Sequence, residues 1–300
     1  DFLGQRSVVG IEDYRHGVFY KSLALPHGAG VAALRVSTET VGAREGLGWV
    51  DCDLWLDELR DLTAAVARCR RMLDLDSDPV AIDECLAQDP FLRRLVLANP
   101  GSRMPGSTDP NEVAFRVVIG QQVSTAGART VAGRLVQQYG RPLQTPVGHV
   151  THSFPTPGEL AEADPAAFAM PASRMRAIKA LATALADESL VLSVGSDWQD
   201  VESAMLRLHG IGPWTVAAVR MRGLGDPDVL LSTDLGVQKA LAGLGFAGSP
   251  RELESSSQAW RPWRSYTTHH LWASLDAASV QNRAIASPSR TTGPALPQES

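Results

Sequence analysis

The stretch Leu206-Arg207-Leu208-His209-Gly210-Ile211-Gly212-Pro213-Trp214-Thr215-Val216-Ala217-Ala218 constrains this chain more than any other. It reads as helix, tight Gly-x-Gly turn, helix. Two glycines let the backbone turn sharply and let another chain come close. Pro213 presets the first turn of the second helix, where its missing N–H costs little. Free N–H groups at that helix start suit a phosphate. Gly210, Gly212 and Thr215 are therefore the candidate phosphate-binding residues. Such a contact holds a nucleic-acid backbone without reading bases. A bare Gly-x-Gly reads first as an ordinary helix–helix turn, so the rest of the chain has to decide.

The charge balance is informative only when divided. The net charge of −5 argues against nucleic acid at first sight. Residues 90–145, however, hold seven arginines against Asp109 and Glu112, with acidic stretches on both sides. A local basic segment can face phosphates, because the local field matters more than the sum. A solvated helix face is the bland reading of the same pattern. Arg116, Arg129 and Arg134 are the candidates for a salt-sensitive contact.

Other classes drop out quickly. Cys52, Cys69 and Cys85 are too few for a disulfide scaffold and lack metal-ligand spacing, so free thiols in a reducing cytoplasm and no metal site are expected. No uncharged apolar run approaches the roughly 18–20 residues of a membrane span. The chain opens on Asp1 without a signal-peptide pattern, which reads as a fragment or processed product. No cofactor is implied, and a monomer is expected.

The organisation reads as α+β. SVVGIED, VFYKSLAL and VAALRVST, within residues 7–50, read as short strands, with a turn at PHGAG. Leu54, Leu56, Leu59, Leu62, Val66 and Cys69 suggest one face of a helix over 54–71, and a second helix follows at about 79–86. From Asn111 onward the chain reads as helical nearly throughout. The expected helices start at Asp109-Pro110, run from Ser124 to Tyr139, follow Thr156 and Asp164, and cover 173–186 and 199–208. The resulting division is a small α/β domain over 1–98, an all-helical region over 99–275 and a flexible Ser/Ala/Pro/Gly-rich tail over 276–300.

One carboxylate stands out. Val229-Leu230-Leu231 is followed by Ser232-Thr233-Asp234 and then by helix-forming sequence. By itself Asp234 reads as an N-cap.

Taken together, LHGIGPWTVAAV, VLLSTD and FRVVIGQQVSTAGA resemble the helix-hairpin-helix DNA glycosylase superfamily, and within it DNA-3-methyladenine glycosylase II. RRMLDLDSDP, PGSRMPGSTDP, FPTPGELAEADP and RPWRSYTTHHLW support that subfamily, so the resemblance runs from about Phe2 to Trp272. It implies a TBP-like α/β domain followed by a helical catalytic region in two lobes. It also implies that Asp234 is the catalytic carboxylate, stabilising an oxocarbenium-like sugar as the base leaves. Trp214 then stands where strand-cutting relatives carry a Schiff-base lysine, which implies hydrolysis without lyase action. Trp214 and Trp272 would wall the base pocket, and an indole face suits an electron-poor base. Gln122 matches the residue that fills the gap left by a flipped nucleotide, where the best-known bacterial member has leucine. Ala218 and Leu235 stand where that member has aromatic residues, so the pocket is expected to be wider or less aromatic.

The partner so implied is double-stranded DNA with alkylated bases. A monovalent cation at the hairpin carbonyls is a further implied ligand. In some actinobacteria the enzyme is fused behind an Ada-type regulator, and a chain opening on Asp1 is compatible with that. The same resemblance would place its start after the family's first strand. The competing reading is a non-catalytic lesion-binding helix-hairpin-helix protein, but a pure binder has no use for a carboxylate beside anionic DNA.

Overall fold

A computed structural model describes residues 2–37, 48–164, 168 and 170–286, with side chains described through Leu275. After a four-residue helix, α1 (Phe2–Gln5), four strands form an antiparallel meander: β1 (Glu12–Arg15), β2 (Val18–Ala24), β3 (Ala29–Val36) and β4 (Val50–Leu56). Alternation along β2 sends Phe19, Lys21 and Leu23 to one face and Tyr20 and Ser22 to the other. The first face packs on α2 (Leu62–Met72), where Phe19, Leu23, Ala32 and Leu34 meet Ala65, Cys69 and Met72.

Two local expectations are corrected here. Leu54 and Leu56 belong to β4, and the helix starts only at Leu62. Their two-residue spacing suits a strand as well as a helix, and pairing with β3 decides it. The second correction concerns the helical region, which is interrupted by a hairpin of β5 (Pro142–Val147) and β6 (Val150–His152). Leu143 and Val150 of this hairpin cover Val31 on the far face of the first sheet.

The remaining elements are helical: α3 (Pro79–Leu86), α4 (Pro90–Ala98), α5 (Pro110–Ile119), α6 (Thr125–Tyr139), α7 (Pro157–Glu162), α8 (Ala172–Ala186), α9 (Trp198–Leu206), α10 (Pro213–Val219), α11 (Leu235–Gly243), α12 (Pro250–Ser256) and α13 (Arg264–Ala286). Asp78, Asp89 and Asp109 each cap a helix that opens on proline, and Ser124 caps α6. Thr156 and Glu159 form a reciprocal capping box at α7. The short helix expected after Asp164 falls largely outside the described residues. So do residues 287–300, while 276–286, expected as tail, continue α13.

Two apolar cores divide the helices. Phe115, Leu135, Leu181, Met205 and Ile211 belong to one. Leu92, Met221, Leu231, Leu241 and Leu271 belong to the other, together with Ile82 and Leu86 of α3. So α3 and α4, although they precede residue 99, pack with the second helical core rather than with the sheet.

Candidate active site

A cavity of about 510 Å³ is lined from both helical cores and from the sheet. Asp234, Trp214, Ala218 and Trp272 all line it. Asp234 does cap α11: its Oδ1 accepts the Val237 N–H at 2.9 Å. The same oxygen accepts Trp272 Nε1–H at 3.0 Å, and Oδ2 accepts Trp214 Nε1–H at 3.2 Å. Three N–H donors from three elements thus fix one carboxylate at the cavity wall. The capping and catalytic readings of Asp234 are therefore compatible.

The tryptophans turn their N–H edges to Asp234, which leaves their rings as walls. Phe2 lies nearly parallel to Trp272, with ring centroids 6.3 Å apart and 13° between planes. Ala218, one turn after Trp214, presents a methyl group where an aromatic would fill the cavity. Leu235 is placed elsewhere: it is 82% exposed and not among the cavity-lining residues.

Gln122 sits in the turn between α5 and α6, exposed, with a left-handed backbone at φ 55°. Its neighbours Gly120 and Val123 line the cavity, so it stands at the rim. The adjacent Gln121 ties this turn to the hairpin. Its Nε2 donates to the Gly210 carbonyl at 3.2 Å and to Thr215 Oγ1 at 3.0 Å. Thr215 is buried and its hydroxyl oxygen, turned inward, accepts from Gln121, so its main-chain N–H rather than its side chain is placed for an anion at the helix start.

The two hairpin glycines differ. Gly210 has φ +79°, and a β-carbon there would lie 2.8 Å from Ala177 Cβ. Gly212 has an ordinary φ of −109°, and a β-carbon would meet nothing within 4 Å. Gly210 is required by the fold itself, whereas Gly212 leaves its outer side clear.

Lys21, Glu12 and Arg222, which no local pattern marked, complete the inner end together with Glu112 and Arg116. Lys21 Nζ bridges Glu112 at 2.7 Å and Glu12 at 3.2 Å, and Arg116 reaches the same two carboxylates at 2.7 and 2.8 Å. Burial alone would raise the Glu12 carboxyl, but the Arg116 and Lys21 charges outweigh it and hold it at about 2. Arg116 is therefore an interior ion-pair member rather than a surface contact. Arg129 is also partly committed, donating to the Ser7 carbonyl, while Arg134 is exposed. Arg222 lines the cavity too, and burial, with the Arg116 and Arg6 charges, pulls it down to about 9. Burial and the Arg222 charge likewise push His269 well below the usual imidazole range.

Fold and cavity together define a helix-hairpin-helix protein with a pocket centred on one fixed carboxylate. Comparison with known families agrees. Residues 1–109 match the AlkA N-terminal domain, and residues 115–265 match the HhH-GPD superfamily of base excision DNA repair proteins. A relative from Mycobacterium tuberculosis, named "Probable bifunctional transcriptional activator/DNA repair enzyme AlkA", is 47% identical over 91% of this chain. This chain spans only 53% of that relative's length. "DNA-3-methyladenine glycosylase 2" of Escherichia coli is 30% identical, over 90% of both chains. In architecture, a 3-methyladenine DNA-glycosylase from Archaeoglobus fulgidus matches with a TM-score of 0.75 at 19% identity, over 92% of this chain and 94% of that one. The chain belongs to the HhH-GPD superfamily and carries the AlkA N-terminal domain in front of it.

Proposed function

We propose that this chain is a monofunctional DNA glycosylase that hydrolyses the N-glycosidic bond of alkylated purines in duplex DNA. The observation that carries the reading is the Asp234 carboxylate, held by Val237, Trp214 and Trp272 on the wall of a base-sized cavity. Methylation at N3 or N7 makes the purine cationic, so it leaves as a neutral base taking the bonding electrons. The positive charge then appears on the sugar. A fixed carboxylate beside it lowers that barrier without reorganising, and water adds at C1′ while its proton is released. Asp234 could accept that proton. Extrusion of the nucleotide would bring the bond to Asp234, and the exposed Gln122 beside the cavity would fill the vacated stack.

The hairpin would grip the DNA backbone through main-chain N–H groups at the start of α10, beside the open side of Gly212. Lyase chemistry needs a free amine at the sugar. Trp214 offers none, and the Lys21 ammonium that lines the cavity is committed to Glu12 and Glu112.

The test is to incubate the protein with methylated duplex DNA, identify released bases and treat a parallel reaction with borohydride. Release of methylated purines, an intact abasic strand and no trapped adduct are expected. Binding without release would favour the lesion-binding alternative, and a borohydride adduct would overturn the monofunctional reading.

A further inference from the structure

Trp214, Ala218 and Arg222 succeed one another at four-residue intervals and all line the cavity. After Val219 the backbone widens into a π-helical turn over Arg220–Leu224, closed by Gly225 at φ +76°. Such turns are concentrated at functional sites. Arg222 is the cation in this turn that faces the pocket.

Its surroundings are unusual for an arginine. Arg220 in the same turn is paired with Asp226, and Arg264 with Asp228. Arg116 holds Glu12 and Glu112. Arg222 makes no salt bridge among the described residues, and its Nε is buried without a hydrogen-bond partner. Its guanidinium lies over the Phe2 ring, 5.1 Å from the centroid. The glutamates at this end of the cavity are already engaged by Lys21 and Arg116. A buried guanidinium N–H without a partner is costly. A ligand in the cavity with free acceptor atoms would supply the missing partner.

We propose that Arg222 reads the acceptor edge of the extruded base, so that the pocket favours purines with an oxo group at C6 over those with an amino group there. This rests on the glycosylase reading above. The guanidinium is all donor, and its fork matches O6 and N7 of a guanine-type edge. An adenine-type edge offers N7 but turns an amino donor toward the cation. Methylation at N3 leaves the guanine edge intact, whereas methylation at N7 removes half of it. The preferred order is 3-methylguanine, then 7-methylguanine, with 3-methyladenine least dependent on Arg222.

The test compares wild type with Arg222→Met on methylated duplex DNA under single-turnover conditions, with every released base quantified. The expected result is a tenfold or greater loss of 3-methylguanine release with less than threefold loss of 3-methyladenine. The melting temperature should stay level or rise, since no salt bridge among the described residues is lost and the methionine side chain still packs on the Phe2 ring. Equal losses, no loss, or a lowered melting temperature would each overturn the assignment. A second measurement needs no turnover: quenching of tryptophan fluorescence by free 3-methylguanine and free 3-methyladenine. If wild type releases no base at all, the glycosylase reading fails. Arg222 is then judged on binding alone, and must favour free 3-methylguanine tenfold in wild type and not in the variant.

Discussion

Lys21 and Glu112 lie 91 residues apart in sequence and meet at 2.7 Å in the protein interior. One belongs to the middle strand face that packs on α2, the other to the first turn of α5. Lys21 also sits directly across from Glu12 in the β1–β2 ladder. The sheet and the helical region are thus joined by a buried ionic knot that also lines the pocket.

Removing the lysine should therefore be costly. Lys21→Met leaves two buried carboxylates with Arg116 as their remaining cation, and breaking a buried pair costs about 3–5 kcal/mol. Equilibrium urea unfolding is the check. A loss below about 1 kcal/mol would mean that the carboxylates take up a proton or water at little cost.

Asp234→Asn separates the two roles of that residue. Asparagine caps helices as well as aspartate does, but its amide nitrogen would face the Trp214 Nε1–H that Oδ2 now accepts, so a stability loss of about 1–3 kcal/mol is expected while the protein still folds. Loss of the fixed charge should slow base release by about 10²–10³-fold. Binding to duplex DNA should persist or tighten, because a negative charge near the phosphates has gone. Single-turnover release and a binding titration on the same preparation read both.

The hairpin glycines should respond differently. Gly210→Ala forces a β-carbon into left-handed backbone and against Ala177, and should lose about 1–3 kcal/mol of stability. Gly212→Ala should fold normally and weaken lesion and plain duplex alike, since phosphate contacts carry no sequence. Thermal melts and titrations at two salt concentrations distinguish the cases. Unchanged affinity in Gly212→Ala would leave the hairpin as a turn only.

Acid should loosen the fold before the carboxylates titrate. His269 and His270 are both pushed below the ordinary imidazole value, mainly by burial. As pH falls through about 6.5 the unfolded chain takes up protons at these positions. The folded chain does not, so stability declines with falling pH. It continues to decline until the folded imidazoles themselves protonate. Urea midpoints at pH 7.5, 6.5 and 5.5 should fall in that order, with a shallower slope in His269→Leu.

Much of the site was legible because its signals are local. The Gly-x-Gly turn, the Ser232-Thr233-Asp234 run, Trp214 and the capped starts of α5 and α6 are each written within a few residues. What escaped depends on long-range pairing. Lys21 was a visible anomaly, a charge between Phe19 and Leu23 on an alternating apolar face, but nothing nearby named Glu112 as its partner. Arg116 was counted as part of a basic segment although its direction is set by Glu12, more than a hundred residues earlier. Arg222 and Phe2 carry no local pattern, and α1 is too short to show a period. The β5–β6 hairpin was hidden by Pro142 and Pro146, which weaken a strand signal. Thr215 was placed in the right turn, but only the Gln121 contact reveals that its hydroxyl points inward.

The β5–β6 hairpin has a consequence for synthesis. Val31 leaves the ribosome well before the residues that cover it, Leu143 and Val150, which follow more than a hundred positions later. The meander must therefore wait with one face uncovered while α2 through α6 are made. Cutting the chain at the boundary between its two family matches would strand that face permanently. The two halves are consecutive in sequence but interlaced in assembly, because residues of the second cover a face of the first.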